Sequence, residues 1–93
     1  MKSLSLFIVE DDPIIAADIR MTVEGLGHQV LAVSHRSDRC LEMLKQVRPD
    51  LMLLDIDLGK GNEDGVSLAK VIKSTYGYPY IYLTSYFDDS TIQ

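Results

Sequence analysis

The sequence predicts an α/β domain built on a parallel sheet, and three observations predict it. The first is the apolar run Leu51-Met52-Leu53-Leu54, which drives straight into Asp55-Ile56-Asp57 between Arg48-Pro49-Asp50 and a glycine-rich stretch. An unbroken run of this kind reads as a strand covered on both faces, and such strands belong to parallel sheets. The second is alternation, because short apolar segments take turns with segments of helical periodicity in the order β-α-β-α-β-α-β. That order implies right-handed crossovers with helices on both faces, a doubly wound arrangement. The third is length: a strand, a helix and two connections take roughly 20–29 residues, so 93 residues hold about four such units.

The first strand is expected at residues 4–9, apolar except at Ser5, and it ends in Glu10-Asp11-Asp12-Pro13. Asp12 suits a helix cap and Pro13 the first helical position. The helix should run to about residue 26 and stop at Gly27, with Ile15, Ile19, Val23 and Leu26 facing the sheet and Ile14, Ala17 and Met21 forming a narrower second patch. Residues 28–33 give a weaker second strand. Ser37-Asp38 opens a second helix to about Val47, with Cys40, Leu41, Leu44 and Val47 facing inward and Pro49 as the stop.

After the central strand, Gly59-Lys60-Gly61-Asn62-Glu63-Asp64-Gly65 reads as a polar loop. Residues 66–75 form a third helix with Val66, Ala69 and Ile72 to bury, broken by Gly77 and Pro79. Residues 80–85 are β-branched and aromatic, hence a fourth strand, with Tyr80 and Tyr82 as plain strand residues and the hydroxyls of Thr84 and Ser85 at its end. Residues 88–93 resemble the capped beginning of a further helix.

With 46% hydrophobic and 25% charged residues, the chain reads as one globular domain, residues 1–93. A net charge of -5 and nine basic residues spread without a run argue against a nucleic-acid surface. The lone Cys40 cannot close an internal disulfide and reads as a small core residue. No apolar run approaches the roughly 20 residues that span a bilayer, and the first residues lack the shape of a signal peptide, so a cytoplasmic location without membrane contact is expected. His28 and His35 have no acidic or Cys partner at ligand spacing and read as surface or turn residues.

In open α/β sheets ligands bind outside the carboxyl ends of the strands. Glu10 and Asp11 close the first strand, Asp55 the third and Thr84 the fourth. Three gathered carboxylates repel one another, and the usual relief is a hard divalent cation with oxygen ligands, Mg²⁺ above all. Once neutralised, a carboxylate such as Asp55 can act as a nucleophile toward phosphorus while a hydroxyl such as Thr84 orients an oxygen.

The motifs Ile8-Val9-Glu10-Asp11-Asp12, Leu53-Leu54-Asp55-Ile56, Asp64-Gly65-Val66-Ser67-Leu68-Ala69 and Tyr82-Leu83-Thr84-Ser85 together resemble the receiver domain of two-component response regulators. The resemblance covers essentially the whole chain. It implies a flavodoxin-like receiver fold with strand order 2-1-3-4 and a signalling acceptor rather than an enzyme. Asp55 would be the phosphoacceptor, taking a phosphoryl group from a sensor histidine kinase or a phosphotransfer protein. Asp11 would bind Mg²⁺ directly, Glu10 mainly through a water, and the backbone carbonyl of Asp57 would complete the protein's share. Thr84 would bond a phosphoryl oxygen, and Asp12 falls outside the acidic pair.

The chain also departs from the pattern. Receivers usually carry a Pro shortly after the phosphoacceptor, where Leu58-Gly59 stands, and the loop before Asp64-Gly65 looks long. No Lys follows Lys73, whereas the resemblance implies a Lys closing a fifth strand, an aromatic switch residue on that strand and a final helix. The expectation is therefore a receiver incomplete at its C-terminus, with slowed phosphotransfer. An unpaired edge at residues 80–85, together with the Ile14, Ala17 and Met21 patch, would favour a homodimer. Lys60 could swing toward Asp55, but reads as a solvated loop residue.

Rival functions are a receiver-like dimerisation or interaction module without phosphotransfer, and a haloacid-dehalogenase-type phosphatase suggested by Asp55-Ile56-Asp57. The phosphatase motif lies on the first strand and continues with Thr or Val where Gly59 stands here. A flavin or nucleotide binder would need a glycine- or hydroxyl-rich loop after the first strand. Glu10-Asp11-Asp12 would repel phosphate there unless a metal intervened.

Overall fold

A computed structural model describes residues 2–56 and 65–83. The elements are β1 (Ser5–Val9), α1 (Pro13–Gly25), β2 (Gln29–Ser34), α2 (Ser37–Met43), β3 (Leu51–Asp55), α3 (Gly65–Thr75) and β4 (Tyr80–Leu83). The four strands form one parallel sheet in the order β2-β1-β3-β4, so the doubly wound reading and its 2-1-3-4 order hold.

Strand pleating sorts the side chains onto two faces. Phe7 and Val9 of β1 and Met52 and Leu54 of β3 pack with Cys40 and Leu44 of the α2 segment and with Leu68, Ala69 and Ile72 of α3. The intervening residues Leu6, Ile8 and Leu53 join Val30, with Ile19 and Val23 of α1 laid against them. One helix therefore covers one face and two helices the other. A bulge between Leu6 and Phe7 shifts the β1–β2 register, which pairs Leu6 with Val30 but Phe7 with Ala32.

Caps and turns explain the helix boundaries. Asp12 caps α1 by accepting the N–H groups of Ile14 and Ile15 at 2.9 and 3.4 Å, with Pro13 in the first turn. Leu26 is the residue at which α1 stops, and the chain turns at Gly27, whose φ of 94° suits glycine. That turn removes Leu26 from the sheet-facing row, leaving it 65% exposed, while Ala16 is buried instead and Ile15 is half-buried. The Ile14, Ala17 and Met21 patch is open, with Ile14 81% exposed.

Two further boundaries differ from the sequence reading. The α2 helix ends at Met43 and not near Val47, because Lys45 and Gln46 donate to carbonyls three residues back and tighten the chain. Leu44 and Val47 still reach the core across that turn. In α3 the buried row is Gly65, Leu68, Ala69 and Ile72, while Val66 is 39% exposed. The cause lies at Gly65. A Cβ on that residue would collide with the Asp55 carbonyl oxygen, with the carbonyl carbon 2.8 Å away. Glycine lets the helix start against the end of β3, and this contact sets the rotation that turns Val66 outward.

Candidate functional site

The parallel register assembles the acidic centre. Val9 pairs with Leu54, so Glu10 and Asp55 are the next residues along two neighbouring strands at their carboxyl ends. Glu10 is fully buried and Asp55 almost so, whereas Asp11 is exposed. One carboxylate oxygen from each of Glu10, Asp11 and Asp55 lies within 4.8 Å of the others. The three acids picked out in the sequence thus converge. Asp57 and Thr84, the other predicted site residues, lie outside the described residues, as do Lys60 and Ser85.

The backbone around these acids is held on both sides. Glu10 N–H donates to the Ser34 carbonyl at 3.0 Å, and Asp12 N–H donates to Glu10 Oε2 at 3.3 Å. Beside Asp55, Ile56 N–H donates to the Leu83 carbonyl at 3.2 Å and Gly65 N–H to the Ile56 carbonyl at 2.8 Å. His35, read from sequence as a turn residue, directs Nδ1 at the Glu10 carbonyl oxygen at 2.8 Å. Sequence held a signal for it. In the order 2-1-3 the residue just past the end of the second strand falls beside the end of the first.

Electrostatics mark the place as costly. Burial pushes the Glu10 carboxyl up to about 8, the neighbouring Asp55 and Asp11 side chains push in the same direction, and the Asp12 N–H opposes them. Glu10 Oε1 is buried and receives no hydrogen bond among the described residues. Such an oxygen beside two further carboxylates is the donor set a hard divalent cation takes, and its charge would offset the repulsion. The residues present therefore fit Mg²⁺.

Residues 6–93 match the family of response regulator receiver domains. The chain belongs to that family. The receiver is 35% identical over 82 residues to the phyllosphere-induced regulator PhyR of Methylorubrum extorquens, a match covering 87% of this chain and 30% of that protein. Among solved structures, the response regulator PhyR from Brucella abortus superposes with a TM-score of 0.83 at 32% identity, covering 91% of this chain and 35% of that one. The BeF3-activated receiver domain of RstA from Klebsiella pneumoniae superposes with a TM-score of 0.78 at 32% identity, covering 94% and 72%. The chain spans about a third of the length of the curated relatives it matches. Among the described residues no helix is long and apolar enough to cross a membrane.

Proposed function

We propose that this receiver accepts a phosphoryl group on Asp55 in a Mg²⁺-dependent step, from a phosphohistidine of a sensor kinase or phosphotransfer protein. The observation that carries the reading is the burial of Asp55 beside Glu10, with Asp11 in reach, at the carboxyl edge of a parallel sheet. Buried charge of one sign costs stability, so it is accounted for by chemistry rather than by packing.

In the transfer, an Asp55 carboxylate oxygen attacks phosphorus while the bond from phosphorus to the donor imidazole nitrogen breaks. The imidazole, carrying a proton on its other ring nitrogen, leaves with the electron pair as a neutral ring, and an acyl phosphate remains on Asp55. Asp11 would hold Mg²⁺ directly and Glu10 mainly through water, with the Asp57 carbonyl as a further ligand and Thr84 donating its hydroxyl to a phosphoryl oxygen. Bound there, Mg²⁺ supplies positive charge to the transferring oxygens. Gly65 keeps the start of α3 tight against Asp55, which fixes where the nucleophile stands. The domain is then a substrate of its kinase and a carrier of signal, not an enzyme with its own turnover, and it works in the cytoplasm. The open Ile14 and Met21 patch supports self-association as an accompanying property.

The test is incubation with acetyl phosphate and Mg²⁺ followed by intact-mass measurement. A phosphoryl mass gain that hydroxylamine removes, and that Asp55→Asn abolishes, is the expected result. A gain that persists in Asp55→Asn would overturn the assignment. A folded wild type that binds the metal but never gains mass would favour the interaction-module reading.

A further inference from the structure

Both histidines of the chain act on β1, one at each end. At its start, His28 Nδ1 accepts the Leu4 N–H at 3.1 Å. At its finish, His35 Nδ1 lies 2.8 Å from the Glu10 carbonyl oxygen. A carbonyl only accepts, so the hydrogen of this second bond belongs to His35 Nδ1, and a backbone N–H only donates, so His28 Nδ1 carries none. Nδ1 therefore carries a hydrogen in His35 and none in His28.

The second bond matters more than the first because of where its acceptor lies. The Glu10 carbonyl belongs to the peptide that joins Glu10 to Asp11, and a peptide moves as a rigid plane. Holding its oxygen therefore orients the Cα atoms of both acids at once. On the other side of Glu10, its N–H already donates to Ser34, so residues 34 and 35 grip Glu10 in succession. Asp11 lies beyond the last strand residue and is exposed. The peptide that leads into it is thus held by a side chain where ladder bonds have ended.

We propose that His35 is a positioning residue of the acidic centre, donating Nδ1–H to the Glu10 carbonyl and so setting the Glu10–Asp11 peptide for divalent-cation binding. This rests on the metal reading given above. His35 touches no reacting atom, and its side chain is exposed, so its removal costs little core burial. Groups that orient metal ligands from behind typically change affinity about 10–100-fold when removed. Acting through one backbone carbonyl, His35 belongs at the low end, about 10-fold.

The experiment titrates the full chain with MgCl₂ by calorimetry and records the imidazole nitrogens by long-range ¹H–¹⁵N NMR in metal-free buffer. The expected result is Nδ1–H at His35 and Nε2–H at His28. His35→Ala should bind Mg²⁺ about 10-fold more weakly, and His35→Asn, whose δ nitrogen can occupy the place of Nδ1, should recover part of the loss. His28→Ala should lower the melting temperature without moving Mg²⁺ affinity. A wild type that binds no Mg²⁺ overturns the metal reading and this proposal with it. A wild type that binds, alongside a His35→Ala variant that binds equally well, overturns this proposal alone. Equal losses in His28→Ala and His35→Ala would mark a general loosening of β1, and an Nε2–H tautomer at His35 would remove the hydrogen bond itself; either result overturns the assignment.

Discussion

Along β1 and β3 the last apolar residues and the first acids are buried to the same depth. Val9 and Leu54 are fully buried under α2 and α3, and one step further Glu10 and Asp55 are 0% and 1% exposed. For the apolar pair, burial stabilises by roughly 1.5–3 kcal/mol per side chain. For the acids the same loss of water penalises the charged form, which is why Glu10 holds its proton to about 8. The carboxyl edge is therefore maintained by the core beneath it and against its own electrostatics.

Removing the support should give the largest effect. Phe7 is fully buried among the residues facing α2 and α3, so Phe7→Ala should cost about 3–5 kcal/mol. That is a large part of the roughly 5–15 kcal/mol that holds a small domain folded. Urea unfolding followed by circular dichroism measures it, and a loss under about 1 kcal/mol would show that the face is loosely packed.

Next in size is the joint between the two regions. In Gly65→Ala the new methyl meets the Asp55 backbone, which cannot swing aside as a flexible side chain would. A cost of about 1–3 kcal/mol is expected, with amide shifts concentrated around Asp55 in NMR spectra. The control is Gly25→Ala, where a Cβ meets nothing within 4 Å and the helical position should gain up to about 1 kcal/mol. Equal responses at the two glycines would contradict the close approach.

These same residues show what sequence could and could not disclose. Apolar runs ending in acid located β1, β3 and the Glu10, Asp11 and Asp55 cluster, because burial and strand direction are written in residue type and order. The rotation of α3 was not legible: periodicity alone offered Val66 as readily as Leu68, and the Gly65 contact with Asp55 that selects Leu68 is tertiary. Leu26 departs from the helical wheel for a related reason, since the wheel continues through a residue at which the real helix has begun to turn toward Gly27. Ligand spacing along the chain says nothing of His35, because its partner is a backbone carbonyl just past the end of the neighbouring strand.

The pH dependence of stability sharpens the electrostatic side. Glu10 moves from an ordinary 4.5 to about 8 on folding, so between those values the folded state holds a proton that the unfolded chain has released. Its contribution is complete below 4.5 and is lost as pH rises through 8, by at most about 1.4 kcal/mol per pH unit. Metal-free wild type should therefore lose stability across this window, and Glu10→Gln should flatten the loss. A wild-type profile that rises with pH over the same range would contradict the burial argument.

The smallest effect belongs to the apolar side. Burial pushes the Cys40 thiol up to about 12, so it should resist a thiol-modifying reagent in the folded protein and react on unfolding. Rapid labelling under native conditions would show that the face under α2 opens readily.

The most direct measurement of whether the carboxyl edge is a cation site is thermal unfolding of wild type and Asp11→Asn, each with and without Mg²⁺. A ligand present at a hundred times its dissociation constant should stabilise the fold that binds it by about 2.7 kcal/mol. Wild type should show a melting-temperature rise that grows with Mg²⁺ concentration, and Asp11→Asn should show little or none. An equal rise in both proteins, or no rise in wild type, would contradict the assignment of Glu10, Asp11 and Asp55 as a metal-binding phosphoacceptor centre.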